Sequence, residues 1–83
     1  MQRAVRVKPL KNYLILVLFG NGEERVYNCY PLLEKELFAS LRDVEYFNTV
    51  HIDEMGVVCW DDTTDIEPYE LYDNSEAVGN FAM

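Results

Sequence analysis

Seven consecutive apolar residues, Tyr13 to Phe19, run into Gly20-Asn21-Gly22-Glu23 and then Arg25-Val26-Tyr27. This stretch constrains the fold more than any other. Asn-Gly between two strand-like runs is a strong hairpin signal, because a type I′ turn needs positive φ at both central residues. A two-residue Asn21-Gly22 loop predicts a register in which Val17 pairs with Val26, Leu16 with Tyr27 and Leu18 with Arg25. Along the first strand Tyr13, Ile15, Val17 and Phe19 share one face, and Leu14, Leu16 and Leu18 share the other. A strand apolar on both faces requires burial on both. One face needs a helix. The Leu14, Leu16 and Leu18 strip needs cover from within the chain or from a second copy, so a homodimer is expected.

The run of seven falls far short of the roughly 20 apolar residues that span a bilayer. Met1-Gln-Arg-Ala-Val-Arg carries no apolar signal segment, so no export is expected. Cys29 and Cys59 are isolated thiols. Their spacing suits neither a disulfide framework nor a Cys-x-x-Cys metal or redox motif, and a reducing cytoplasm is the simplest setting.

Before the hairpin, Val5 to Leu10 alternates apolar and basic residues, and Lys8 and Pro9 suit an edge strand. Lys11-Asn12 links it tightly to the next strand. Pro31 to Leu41 reads as a helix whose stripe is Leu33, Leu37, Phe38 and Leu41, with Glu34, Lys35 and Glu36 facing water and Arg42 in the last turn. Asp43 to Phe47 is a connection. Val50-His51-Ile52 and Val57 to Trp60 form a second hairpin with Gly56 in its turn. Asp61-Asp62-Thr63-Thr64-Asp65 is a polar turn. Pro68 to Tyr72 is a short helix opened by Glu67, with Ile66, Leu71 and Tyr72 as contacts. The expected class is α+β. It has an antiparallel sheet of about five strands in the order β-β-β-α-β-β-α, helix 31–41 on one face and a short helix near 68–72. Residues 1–73 make the domain and 74–83 a weakly patterned, flexible tail.

Charge divides the chain. Residues 1–42 hold seven basic and four acidic side chains, a balance of +3, whereas residues 43–83 hold eleven acidic ones and neither Lys nor Arg. Such a half repels nucleic acid and attracts a basic protein surface. The candidate partner-binding surface is Asp53, Glu54, Asp61, Asp62, Asp65, Glu67, Tyr69, Glu70 and Asp73.

Chemistry has few footholds. His51 alternates with Val50 and Ile52, so it belongs on an outer face; a Cys/His pair with Cys29 or Cys59 can be drawn, but the spacing gives it no support. Asp61, Asp62 and Asp65 cluster oxygens but lack the spacing of a calcium loop. A solvated turn, with Asp65 and Glu67 favoured near a helix N-terminus, accounts for them better. Trp60 suits a small core, and Tyr69 either the core or an exposed anchor. No phosphate loop or nucleophile elbow is present. No catalytic, cofactor or metal residue is therefore expected.

Taken in order, Val7-Lys8-Pro9-Leu10, Tyr13-x-Ile15-x-Val17-x-Phe19, Asn21-Gly22-Glu23, Pro31-Leu32-Leu33, Phe38, Leu41, Phe47, Val50, Gly56, Trp60 and Asp65-Ile66-x-Pro68-x-x-Leu71-Tyr72 resemble the bacterial domain of unknown function 2442, over residues 5–73. The resemblance implies a small α+β fold in a bacterial or phage cytoplasm. Some members resemble the front half of proteins that end in a DNA-binding helix-turn-helix. Others are encoded beside a small companion, domain of unknown function 4160, which implies an antitoxin role. It brings no catalytic residues. This chain departs from the family at Asn28, where Asp is frequent, and at Thr63-Thr64, where a Gly is frequent, and it ends without a helix-turn-helix. Three functions remain open: a non-enzymatic, antitoxin-like or regulatory module for a basic partner; a phage-type, anti-CRISPR-like inhibitor that imitates nucleic acid; and a minor metal-binding protein.

Overall fold

In a computed structural model that describes residues 3–80, two antiparallel sheets enclose one core. The first has the order β1-β2-β3-β7, formed by β1 (Ala4–Pro9), β2 (Leu14–Phe19), β3 (Glu24–Asn28) and β7 (Glu76–Ala77). The second has the order β4-β5-β6, from His51–Ile52, Val58–Asp61 and Thr64–Asp65. The α+β class stands, but the expected single sheet of about five strands is two sheets. The short β4 and β6 flank β5 and pair with no strand of the first sheet.

Alternation in β2 sorts its faces as the sequence implies. Ile15, Val17 and Phe19 are fully buried, whereas Leu14, Leu16 and Leu18 are half-buried on the other side. The register differs by one residue. Leu16 pairs with Val26, Val17 with Arg25 and Leu18 with Glu24. Gly22 N–H donates to Phe19 O, Phe19 N–H donates to Glu23 O, and Gly22 alone in that loop has positive φ, at 90°. This is a three-residue loop, a type I turn closed by a left-handed glycine. The two-residue type I′ loop is absent there because Asn21 is not left-handed. The primed turn lies one loop earlier. Asn12 and Tyr13 have φ of 61° and 62°, and Leu14 N–H donates to Lys11 O. A left-handed tyrosine is strained by about 1–3 kcal/mol. Its surroundings hold it: the hydroxyl donates to Arg42 O at 2.6 Å, and the ring meets Phe47 edge-on at 5.2 Å.

The helix expected over 31–41 is two 3-10 segments, Tyr30–Glu34 and Glu36–Arg42, separated at Lys35, whose ψ of 135° is extended. The break rotates the second segment relative to the first. Leu32, Leu33, Phe38 and Leu41 reach the core, while Leu37 is 61% exposed. A 3-10 repeat of three residues satisfies Phe38 and Leu41 together and turns Leu37 outward. Arg42 does more than complement a helix end, because its Nε donates to Leu33 O at 2.9 Å and staples the two segments.

The connection 43–47 contains a helical turn, α1 (Val44–Phe47), capped by Asp43, which accepts from Glu45 N–H. This turn drives Phe47 into the core, where its carbonyl accepts the Trp60 Nε1–H at 2.9 Å. The predicted short helix is α2 (Pro68–Asp73), capped by Glu67, whose carboxylate accepts from Tyr69 and Glu70 N–H. Ile66 and Leu71 are buried beneath it. Within the segment read as a tail, Glu76 and Ala77 pair with Val26 and Arg25, and a 3-10 turn follows over Val78–Asn80. Residues 81–83 of that segment lie outside the described residues.

Candidate functional site

The nine residues of the expected acidic surface are all exposed, but they are not one patch. Asp53 and Glu54 occupy the β4–β5 turn, whereas Asp61 ends β5 and Asp62 lies in the turn after it, at the opposite end of that strand. Four of the carboxylates are committed to the fold. Asp53 Oδ1 accepts from Met55 and Val57 N–H, which shapes the turn around Gly56 (φ 83°). Asp61 accepts from Thr63 N–H, Thr63 Oγ1 and the Tyr46 hydroxyl. The Tyr46 bond holds the Asp61 carboxyl well below the usual carboxylate range and pushes the Tyr46 phenol up to about 12. Glu67 caps α2, and Glu70 accepts from Tyr27 Oη at 2.9 Å and Asn74 Nδ2 at 2.7 Å. Glu54, Asp62, Asp65 and Asp73 make no side-chain hydrogen bond to the described residues.

The structure brings Asp65, Glu67 and Glu70 together. They line a groove of about 280 Å³ with Tyr27, Leu32, Phe38, Ile66 and Lys35. The break at Lys35 shapes one wall and the β6–α2 junction shapes the other. The lining pairs an apolar floor with a carboxylate rim, and Lys35 is its single cation. Burial and the bond to Glu70 push the Tyr27 phenol far up, so it stays a donor at neutral pH. Tyr69, 60% exposed, stands on α2 beside this rim.

A second cluster crosses the smaller sheet. His51 and Cys59 pair directly, as do Cys59 and Asp65. His51 Nδ1 lies 3.0 Å from Thr49 O, which can only accept, so Nδ1 carries the proton and Nε2 is left as an acceptor. Cys59 Sγ, at 3.5 Å, is its donor. Burial, followed by the charges of Asp53, Asp65, Asp61 and Asp62, pushes the thiol up. A nucleophilic cysteine needs the reverse: a base oriented by a carboxylate and a surrounding field that favours thiolate. Here the thiol sits in the middle of the row, and the carboxylates oppose its ionisation. This pair was legible in principle. A three-residue loop ending on Gly56 centres the hairpin on Met55 and sets residue 51 opposite residue 59. Among the described residues, no group of three or more His, Cys, Asp or Glu side chains is arranged to hold a metal.

Cys29, the other thiol, is fully buried, and burial pushes it up to about 12. Trp60 is core, as its type suggests. No described helix is long and apolar enough to cross a membrane.

Leu14, Leu16 and Leu18 share the face of the larger sheet opposite to Tyr27, which lines the acidic groove.

Comparison with curated proteins and with solved structures returned no match. A protein-family model does match the chain. Described as "Protein of unknown function (DUF2442)", it matches residues 4–77, and the chain belongs to that family.

Proposed function

We propose that this chain is a non-catalytic binding module, antitoxin-like or regulatory, that recognises a basic protein in a bacterial or phage cytoplasm. The observation that carries this reading is the groove between the Lys35 break and α2. Its floor of Leu32, Phe38 and Ile66 suits the methylene stem of an arginine or lysine, and Asp65 and Glu70 suit the charged head. Arginine fits better than lysine, because its fork can meet two carboxylates at once. Lys35 is exposed and can swing aside as the partner's cation replaces it. The remaining acids, including Asp62 and Asp73, supply a field that speeds encounter rather than contacts that hold.

Co-expression with the product of the adjoining gene, followed by calorimetry on the purified complex, tests the reading. Asp65→Asn combined with Glu70→Gln should weaken the complex by about tenfold or more, whereas Glu54→Gln should change it little. An unaltered affinity in the groove variant, or no complex at moderate salt, would sink it.

A further inference from the structure

The 3-10 segment Tyr30–Glu34 lines two different clefts. Leu32 belongs to the acidic groove, whereas Tyr30, Leu33 and Glu34 line a second cleft of about 320 Å³ with Tyr13 and Arg42. That volume lies in the range of small-molecule sites. The two clefts share no lining residue, so a ligand in one leaves the other open.

The fold holds the aromatic side of this cleft in place. Tyr13 keeps its left-handed backbone, φ 62°, because its hydroxyl donates to Arg42 O and its ring packs edge-on against Phe47. Strain of this kind collects at ligand clamps. Tyr30 meets the Tyr13 ring at 6.2 Å and 61°, so the two rings form a corner. The Tyr30 N–H is tied to Asn28 Oδ1 at 2.9 Å, yet its side chain is left 58% exposed. The charged side is anchored as well. Arg42 is fixed at its carbonyl by Tyr13 and at Nε by Leu33 O. Its terminal N–H groups have no acceptor among the described residues. Glu34, on the same cleft, is exposed and makes no ion pair among them. A positioned guanidinium can meet a carboxylate with two parallel bonds.

We infer that this cleft binds a free aromatic α-amino acid. The ligand carboxylate meets Arg42, its ammonium meets Glu34, and its ring lies in the corner of Tyr30 and Tyr13 beside Leu33. A zwitterion uses both charges of the cleft. A purely anionic ligand would set like charge beside Glu34, and a purely cationic one beside Arg42. A peptide carries its ammonium and carboxylate at opposite ends and satisfies one of the two. A nucleic-acid strand finds a single cation here and a carboxylate that repels its phosphates. For a ligand this small in an open cleft, the expected dissociation constant is about 1 mM.

Amide NMR titration of the isotopically labelled chain with L-phenylalanine, to tens of millimolar, tests the inference. Saturating shifts should centre on Tyr13, Tyr30, Leu33, Glu34 and Arg42, while the amides of Asp65 and Glu70 in the acidic groove stay in place. L-phenylalanine amide lacks the carboxylate and N-acetyl-L-phenylalanine lacks the ammonium. Each should bind about tenfold more weakly or worse. Tyr30→Ala, a change at an exposed side chain, should weaken phenylalanine by about fivefold or more. Glu34→Gln should bring phenylalanine and its N-acetyl derivative to the same affinity. Shifts that never saturate, or that centre on Asp65 and Glu70, would overturn the inference. So would an amide that binds as tightly as the free amino acid, or affinities indifferent to Tyr30→Ala or Glu34→Gln.

Discussion

The Arg25 guanidinium lies 4.7 Å from the centroid of the Tyr72 ring, and its Nε and second NH₂ group donate to Ser75 Oγ and O at 2.7 and 2.6 Å. Its other nitrogen pairs with Glu23, which also accepts from the Tyr72 hydroxyl. One side chain thus ties the first hairpin to the end of α2. Arg25→Ala should cost about 2–3 kcal/mol, since it leaves the carbonyl of the buried Ser75 without its donor and removes charged hydrogen bonds. Arg25→Lys should recover less than half, because an ammonium cannot span these partners in one plane. Urea unfolding followed by Trp60 fluorescence measures both.

Acid should destabilise the protein through Glu23 and Asp61. The Tyr72 hydroxyl holds the Glu23 carboxyl below its ordinary range, as Tyr46 does for Asp61. A depressed carboxyl contributes stability above its unfolded value and loses it as pH falls through the folded one. The urea midpoint should therefore be flat near neutrality and decline below about pH 4. Asp61→Asn should lower the neutral midpoint and flatten the decline. At the other extreme, burial raises the Cys29 thiol, so its contribution is intact below the ordinary value of 9.0 and is lost as pH rises towards about 12. Cys29→Ala should shift the alkaline limb to higher pH.

The break at Lys35 makes Leu37 and Leu41 opposites. Leu37→Glu should change stability by less than about 0.5 kcal/mol, as expected of a surface site. Leu41→Ala should cost about 2–5 kcal/mol, because that side chain is fully buried. A continuous helix with the stripe intact would penalise both. Thermal melts of the two variants decide between them.

His51 shields the Cys59 sulfur. His51→Ala should raise the rate of Cys59 alkylation by iodoacetamide at mildly alkaline pH by about tenfold, through access rather than acidity. Cys29 should stay unreactive in both proteins. Mass spectrometry of the labelled peptides reads each thiol separately.

Much of this fold was visible in the order of residues. Alternation in β2 named the buried set Ile15, Val17 and Phe19, and Glu67-Pro68 marked the start of α2. The register was not visible. Asn-Gly is compatible with two-residue and three-residue loops, and only the conformation of Asn21 separates them. Nor was the 3-10 geometry of 30–42, because the spacing of Leu33, Leu37, Phe38 and Leu41 fits an α-helix equally well. The strand β7 is two residues long and owes its existence to the open edge of β3, which no local pattern records. The acidic surface was legible as a charge balance but not as a place. Its groove exists because Lys35 interrupts one element where Asp65 ends another.

The pairing of β3 with Glu76 and Ala77 has a temporal side. During synthesis the first hairpin leaves the ribosome with about fifty residues still to be made before its neighbour arrives. Throughout that interval the outer edge of β3 is bare, and Arg25 has neither Ser75 nor Tyr72 to hold. Completion of the larger sheet therefore waits on the arrival of Glu76 and Ala77, and a pause in translation before them prolongs the exposure of that edge.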